Sequence, residues 1–154
     1  MGARSFTELD AWRLANELKL GVYQLIRCGD ARRDFEFRNQ IRNAAASAPR
    51  NIAEGFGRYL PRDFSQYLRI ANGSLMETSN HLQDGCDRGY FKAVDVEPLR
   101  TLARRASAAV TSLIRYLQTA QANPRTREPS VDPRTHERPV NPRTHEPKNR
   151  NPST

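Results

Sequence analysis

An all-α fold, an antiparallel up-down four-helix bundle with a disordered C-terminal tail, is what this sequence predicts, and three observations carry that reading. Apolar residues recur at three- and four-residue spacing in four segments before residue 122, and no segment shows the period-two alternation of a strand. The connectors between these segments are short and marked by glycine, which makes consecutive helices antiparallel neighbours. Beyond residue 122 the apolar pattern stops abruptly. The expected organisation is a bundle over residues 1–122 and a tail over residues 123–154, and a chain of 154 residues can build one hydrophobic core.

The first helix is announced by Ser5-x-x-Glu8, which has the form of a capping box. Leu14, Leu18, Val22 and Leu25 follow at steps of 4, 4 and 3, flanked by Trp12, Tyr23 and Ile26, and the helix is expected to reach about Arg27, where Cys28-Gly29-Asp30 ends it. The second is expected from about Arg33 to Phe56. Its inner positions Phe37, Ile41, Ala45, Ala48 and Ile52 step by 4, 4, 3 and 4. Pro49 lies inside it, where a missing N–H and a clash with the Ala45 carbonyl predict a kink. Gly55 and Gly57 are expected to terminate it, because glycine adopts positive φ freely.

Pro61 suits the first turn of the third helix, since its missing N–H costs nothing there. Phe64, Leu68, Ala71, Leu75, Thr78 and Leu82 then form a heptad-like seam. Gly73, beside Tyr67, Ile70 and Ser74, is expected to mark a close helix contact, because a mid-helix glycine costs about 1 kcal/mol against alanine. Gly85 to Phe91 forms the next turn. The fourth helix is expected from about Asp95 to about Gln121, with Glu97 favoured by the helix dipole in its first turn and Leu99, Leu102, Ala106, Val110, Leu113 and Leu117 inside.

In the tail, Asn-Pro-Arg-Thr or Asp-Pro-Arg-Thr starts at Asn123, Asp132 and Asn141, a nine-residue repeat too short for a solenoid unit. Val131 and Val140 are its only aliphatic side chains, so burial cannot offset the entropy of ordering it. Its 7 basic and 4 acidic residues would at most make it a weak electrostatic tether. No run approaches 18 apolar residues and no apolar stretch follows Met1, so neither a transmembrane helix nor a signal peptide is expected, and the chain is placed in the cytoplasm. Cys28 and Cys86 stand far apart without a Cys-x-x-Cys motif and are expected to be buried, reduced thiols.

The stretch Arg50-Asn51-Ile52-Ala53-Glu54-Gly55-Phe56-Gly57-Arg58 joins the second and third helices, and Glu54 and Arg58 form an i,i+4 pair within it. Together with Leu9-Asp10-Ala11-Trp12, Gln40-Ile41-Arg42, Ser47-Ala48-Pro49, Asp63-Phe64, Ile70-Ala71, Gly73-Ser74-Leu75, Glu77 and Gly89-Tyr90-Phe91, it resembles the ribosomal-RNA intervening-sequence protein family, also called four-helix bundle proteins. Accessory variability proteins of diversity-generating retroelements belong to the same broad group. The resemblance spans roughly residues 5 to 120 and assigns Asn51, Glu54, Gly55, Gly57, Gly73, Ser74 and Glu77 to the family motif. Asn43 and Asn72 stand where the family tends to carry a basic residue, and Leu60 where a polar one is usual. The resemblance implies a homopentameric ring. It also implies a nucleic-acid partner, RNA ahead of DNA, or else a reverse transcriptase.

The residues argue against catalysis. A di-iron bundle needs Glu-x-x-His on two helices, whereas Glu77-x-x-x-His81 is one residue too long and occurs once. His136 and His145 fall in the tail, and no phosphate-cradling glycine loop is present, so no cofactor or metal is expected. The charge balance points elsewhere. Of 25 basic residues only three are lysine, and the guanidinium fork suits phosphate, against 17 acids overall and a net charge of +8. Between Arg32 and Arg69 eight arginines accompany four acids, which is most of the excess in the folded part. Arg38, Arg42, Arg50, Arg58, Arg62 and Arg69, with Phe56 and Tyr59 interleaved, are the expected contact surface for phosphates and unstacked bases. Arg27 and Arg115, on other helices, are expected to lie away from it. The rival reading is a protein-docking scaffold whose basic face meets an acidic partner.

Overall fold

The computed structural model describes residues 3–58 and 60–122. Tyr59, the tail repeats and the disorder expected from residue 123 lie outside the described residues. Four helices make up the fold: α1 (Asp10–Leu25), α2 (Phe35–Phe56), α3 (Pro61–Asp87) and α4 (Ala93–Ala122). Single 3-10 turns at Phe6–Glu8 and Asp30–Arg32 precede α1 and α2. There is no strand among the described residues. All four helices lie within one compact unit.

Each helix packs on two others: α1 lies against α2 and α4, and α3 lies against the same pair. The links after α2 and α3 hold only a few residues, far too few to run back along helices that are roughly 30 to 40 Å long. The helices they join, α2 with α3 and α3 with α4, are therefore antiparallel, in keeping with the up-down bundle that the apolar spacing predicts. On α2 and α3 the expected inner positions all point inward: Phe37, Ile41, Ala45, Ala48 and Ile52 meet Phe64, Leu68, Ala71, Leu75, Thr78 and Leu82 in the core. Thr78 is buried without penalty because its hydroxyl donates to the Ser74 carbonyl at 2.7 Å.

Several local expectations are corrected. Ser5 and Glu8 cap the Phe6–Glu8 turn and not α1: the Ser5 hydroxyl accepts from Thr7 N at 3.2 Å and Glu8 accepts from Arg4 N at 2.9 Å. Leu9 is extended before α1 begins. The buried stripe of α1 is Ala11, Ala15, Leu18, Val22 and Ile26, with Leu14 and Leu25 at its edges, because the alanines let the neighbouring helices come close. Gly55 does not end α2, and neither Gly55 nor Gly57 has positive φ; among the glycines of the described residues only Gly29 and Gly89 do. Likewise α3 runs through Gly85 to Asp87, and α4 begins at Ala93, two residues before the expected start. Both cysteines are free thiols, but Cys28 is exposed and Cys86 half-buried.

Candidate nucleic-acid interface

Arg38 and Arg42 lie one turn apart near the start of α2, on the side facing the end of α1. The last turn of α1 supplies Tyr23 and Ile26 opposite them. Gly29, with φ of 66°, turns the chain back in a conformation that glycine takes without steric cost, and the 3-10 turn that follows presents Arg32. The result is a concavity of about 480 Å³ lined by Tyr23, Ile26, Arg27, Arg32, Arg38 and Arg42. No carboxylate lines it. The Arg42 guanidinium lies over the Tyr23 ring at 5.6 Å, and the Arg38 guanidinium over the Phe35 ring at 5.1 Å. Arg38 Nη1 also donates to the Arg32 carbonyl at 3.3 Å.

Among the described residues, none of these four arginines takes part in an ion pair. Four guanidinium groups around one concavity repel each other, and an anion placed there relieves that repulsion. A cleft lined by one sign of charge also concentrates the field that draws such an anion in. The planar donor forks match phosphate oxygens two at a time.

The motif residues between α2 and α3 do something different. Arg58 Nη2 donates to Glu54 Oε1 at 2.8 Å and to the Tyr67 hydroxyl at 2.6 Å, while the Tyr67 hydroxyl donates to Glu54 Oε1 at 2.8 Å. The bond from Tyr67, followed by that from Arg58, holds the Glu54 carboxyl below its ordinary value, and the bond to Glu54 raises Arg58. Arg58 is thus an intramolecular tie, with its guanidinium stacked 4.9 Å from the Tyr67 ring centre. Deeper in the same joint, Asn51 Nδ2 donates to the Ser47 carbonyl at 2.8 Å and to Ser47 Oγ at 3.0 Å, and Ser74 Oγ donates to Ser47 Oγ at 2.8 Å. Gly55 is buried against α3: a Cβ there would lie 2.7 Å from both Phe64 Cδ2 and Tyr67 Cβ. Gly57 follows as the C-cap of α2. Gly73 does not mark a contact within the bundle, because a Cβ there would meet nothing within 4 Å. Glu77 is exposed and, among the described residues, reaches only to His81, 3.9 Å away.

The six arginines singled out from the sequence therefore do not form one patch. Arg38 and Arg42 share the concavity. Arg50 is exposed two turns further along α2, roughly 12 Å from Arg42, and its charge acts on Glu54. Arg58 is tied to Glu54. Arg62 and Arg69, two turns apart on the exposed side of α3, form a separate basic row. Arg27, expected to lie away from the cluster, belongs to the concavity, whereas Arg115 lines a different one beside Met76 and Arg104. Tyr23 and Arg32 were also outside the expected set. Their only signal in the sequence is the density of arginine around Gly29, and the fold-back at that glycine decides what faces what.

The family model for the 23S rRNA-intervening sequence protein matches residues 7–112. The chain belongs to that family. No curated protein matches the chain significantly. In this intervening-sequence protein the matched span contains α1, α2, α3 and most of α4, and with them both the arginine concavity and the Glu54–Arg58–Tyr67 joint. Asn72 accepts from Ser107 Oγ at 2.6 Å and joins α3 to α4. Among the described residues no group of three His, Cys, Asp or Glu side chains could hold a metal ion, and no helix is long and apolar enough to cross a membrane.

Proposed function

We propose that this intervening-sequence protein is a non-catalytic, cytoplasmic bundle that binds nucleic acid, RNA ahead of DNA, with the concavity of Arg27, Arg32, Arg38 and Arg42 at the centre of its contact surface. The observation that supports this reading is a set of guanidinium groups without carboxylate partners among the described residues, one of which, Arg42, lies over the Tyr23 ring. An exposed charge set kept for stability alone is normally interleaved with acids, as Arg88 is with Asp84 and Asp34. The family's name, which ties it to insertions in 23S rRNA, supports RNA over DNA.

Binding should weaken with salt in a countable way. The logarithm of affinity falls linearly with the logarithm of salt concentration, with a slope of about −0.7 per phosphate contact on single strands. Titration of a fluorescent RNA by Arg38→Ala or Arg42→Ala should give weaker binding and a slope shallower by about one contact. Arg115→Ala, which changes net charge equally, should stay near the parent. Equal losses for Arg42→Ala and Arg115→Ala would reduce the concavity to a solvated surface.

A second reading, a protein-docking scaffold, draws on the outward side of α3. Ile70 and Met76 are 48% and 50% exposed there, and Gly73 between them leaves room for another chain. That side suits the subunit contact of a homopentamer or the docking of a reverse transcriptase. Light scattering at micromolar concentration tests assembly directly, and a monomer would remove the pentamer.

A further inference from the structure

The arginine concavity combines three kinds of surface, and a uniform phosphate-binding groove needs only one of them. Its rim is cationic: Arg27 and Arg32 are exposed, and Arg38 is held in place by the Phe35 ring and the Arg32 carbonyl. One wall is a pair of planar groups, the Arg42 guanidinium lying over the Tyr23 ring at 5.6 Å from its centre. The floor is apolar, with Ile26 only 4% exposed. A volume of about 480 Å³ lies within the range of about 300–1,000 Å³ typical of sites that enclose a small molecule.

From this combination we infer that the concavity takes in one unpaired nucleotide of a bound RNA, with its base against the Arg42–Tyr23 pair and Ile26 and its flanking phosphates on Arg27, Arg32 and Arg38. The inference rests on the nucleic-acid reading and narrows it to strands that offer an unstacked base. A base inside a duplex is stacked on both faces and cannot reach the wall or the floor, so a perfect duplex engages the rim alone. An extruded base reaches all three surfaces. Planar groups of this kind, tyrosine rings and arginine planes, are what unstacked RNA bases rest on.

The test uses the full chain and three fluorescent RNAs: a perfect duplex, the same duplex with a one-nucleotide bulge, and that bulge with its base removed to leave an abasic residue. The bulged RNA should bind about five-fold or more tightly than the perfect duplex, the gain expected from stacking one base, and the abasic RNA should fall back to the duplex level. Arg42→Lys keeps the charge but loses the planar face, and Tyr23→Leu keeps bulk but loses the ring. Each should bring the ratio of bulged to perfect affinity close to one, with thermal melting confirming the fold. Equal affinity for all three RNAs, weakened throughout by Arg38→Ala, would overturn the inference and leave nucleic-acid binding intact. A bulge preference unchanged in Arg42→Lys would place the unpaired base elsewhere and also overturn it. Failure to bind any of the RNAs would overturn both readings.

Discussion

Gly55 and Gly73 look alike in sequence, each inside a long helix, and have opposite roles at the level of single residues. Gly55 is packed tightly against α3, and a Cβ there would lie 2.7 Å from Tyr67 Cβ, an atom fixed to the backbone that cannot swing aside. Gly73 has open space in place of a neighbour. Gly55→Ala should therefore destabilise the bundle by about 1–3 kcal/mol through overpacking. Gly73→Ala should stabilise it by up to about 1 kcal/mol through helix propensity. Urea unfolding of the two variants beside the parent measures both. A Gly55→Ala variant as stable as the parent would show that close approach is not what requires glycine at that position. A Gly73→Ala variant that loses stability would point to a second chain packed on that side of α3.

At the level of elements, the joints between helices are polar and local. Asp34 caps α2 by accepting from Phe37 N at 3.0 Å, and it also accepts from the Tyr90 hydroxyl at 2.9 Å. Arg88 approaches the same carboxylate at 3.5 Å and grips Asp84 with its Nε at 3.0 Å. One carboxylate thus fastens the start of α2 to the turn between α3 and α4, where Gly89 takes φ of 75° and the Phe37 ring stands edge-on to Tyr90. The Phe37 amide first, and then the Tyr90 hydroxyl, hold the Asp34 carboxyl below its ordinary value. A depressed carboxyl contributes stability that is fully present above its unfolded value, about pH 4, and is lost as pH falls through the folded value. Asp34→Asn should thus melt lower than the parent at neutral pH, and the gap should narrow as pH drops below about 4. Melting curves by circular dichroism over that range check it. A gap independent of pH would assign the effect to hydrogen-bond geometry and not to charge.

For the whole molecule, the tail should be dispensable for folding. A chain ending at Gln121 should keep its helical circular dichroism and its melting temperature, because the residues removed have almost nothing apolar to bury. A fall of more than a few degrees would mean that the repeats pack on the bundle. The bundle itself was legible because helical periodicity is a local property: the inner positions of α2 and α3 follow from counting threes and fours, and all of them are buried. The family was legible for a similar reason, since the resemblance rests on short segments in order along the chain. The expected site was legible only in part. Counting arginines located the excess charge but not its geometry, since Arg58 could be free or tied until Tyr67, on the next helix, was placed beside it. Arg27 and Arg32 gave no sign of joining Arg38 and Arg42 until the backbone turned at Gly29. By itself the sequence determined which faces turn inward, because burial of apolar surface at a fixed helical period leaves little choice. Only the tertiary structure decided which charges meet a partner and which stand open, because that depends on distances of a few ångströms between side chains far apart along the chain.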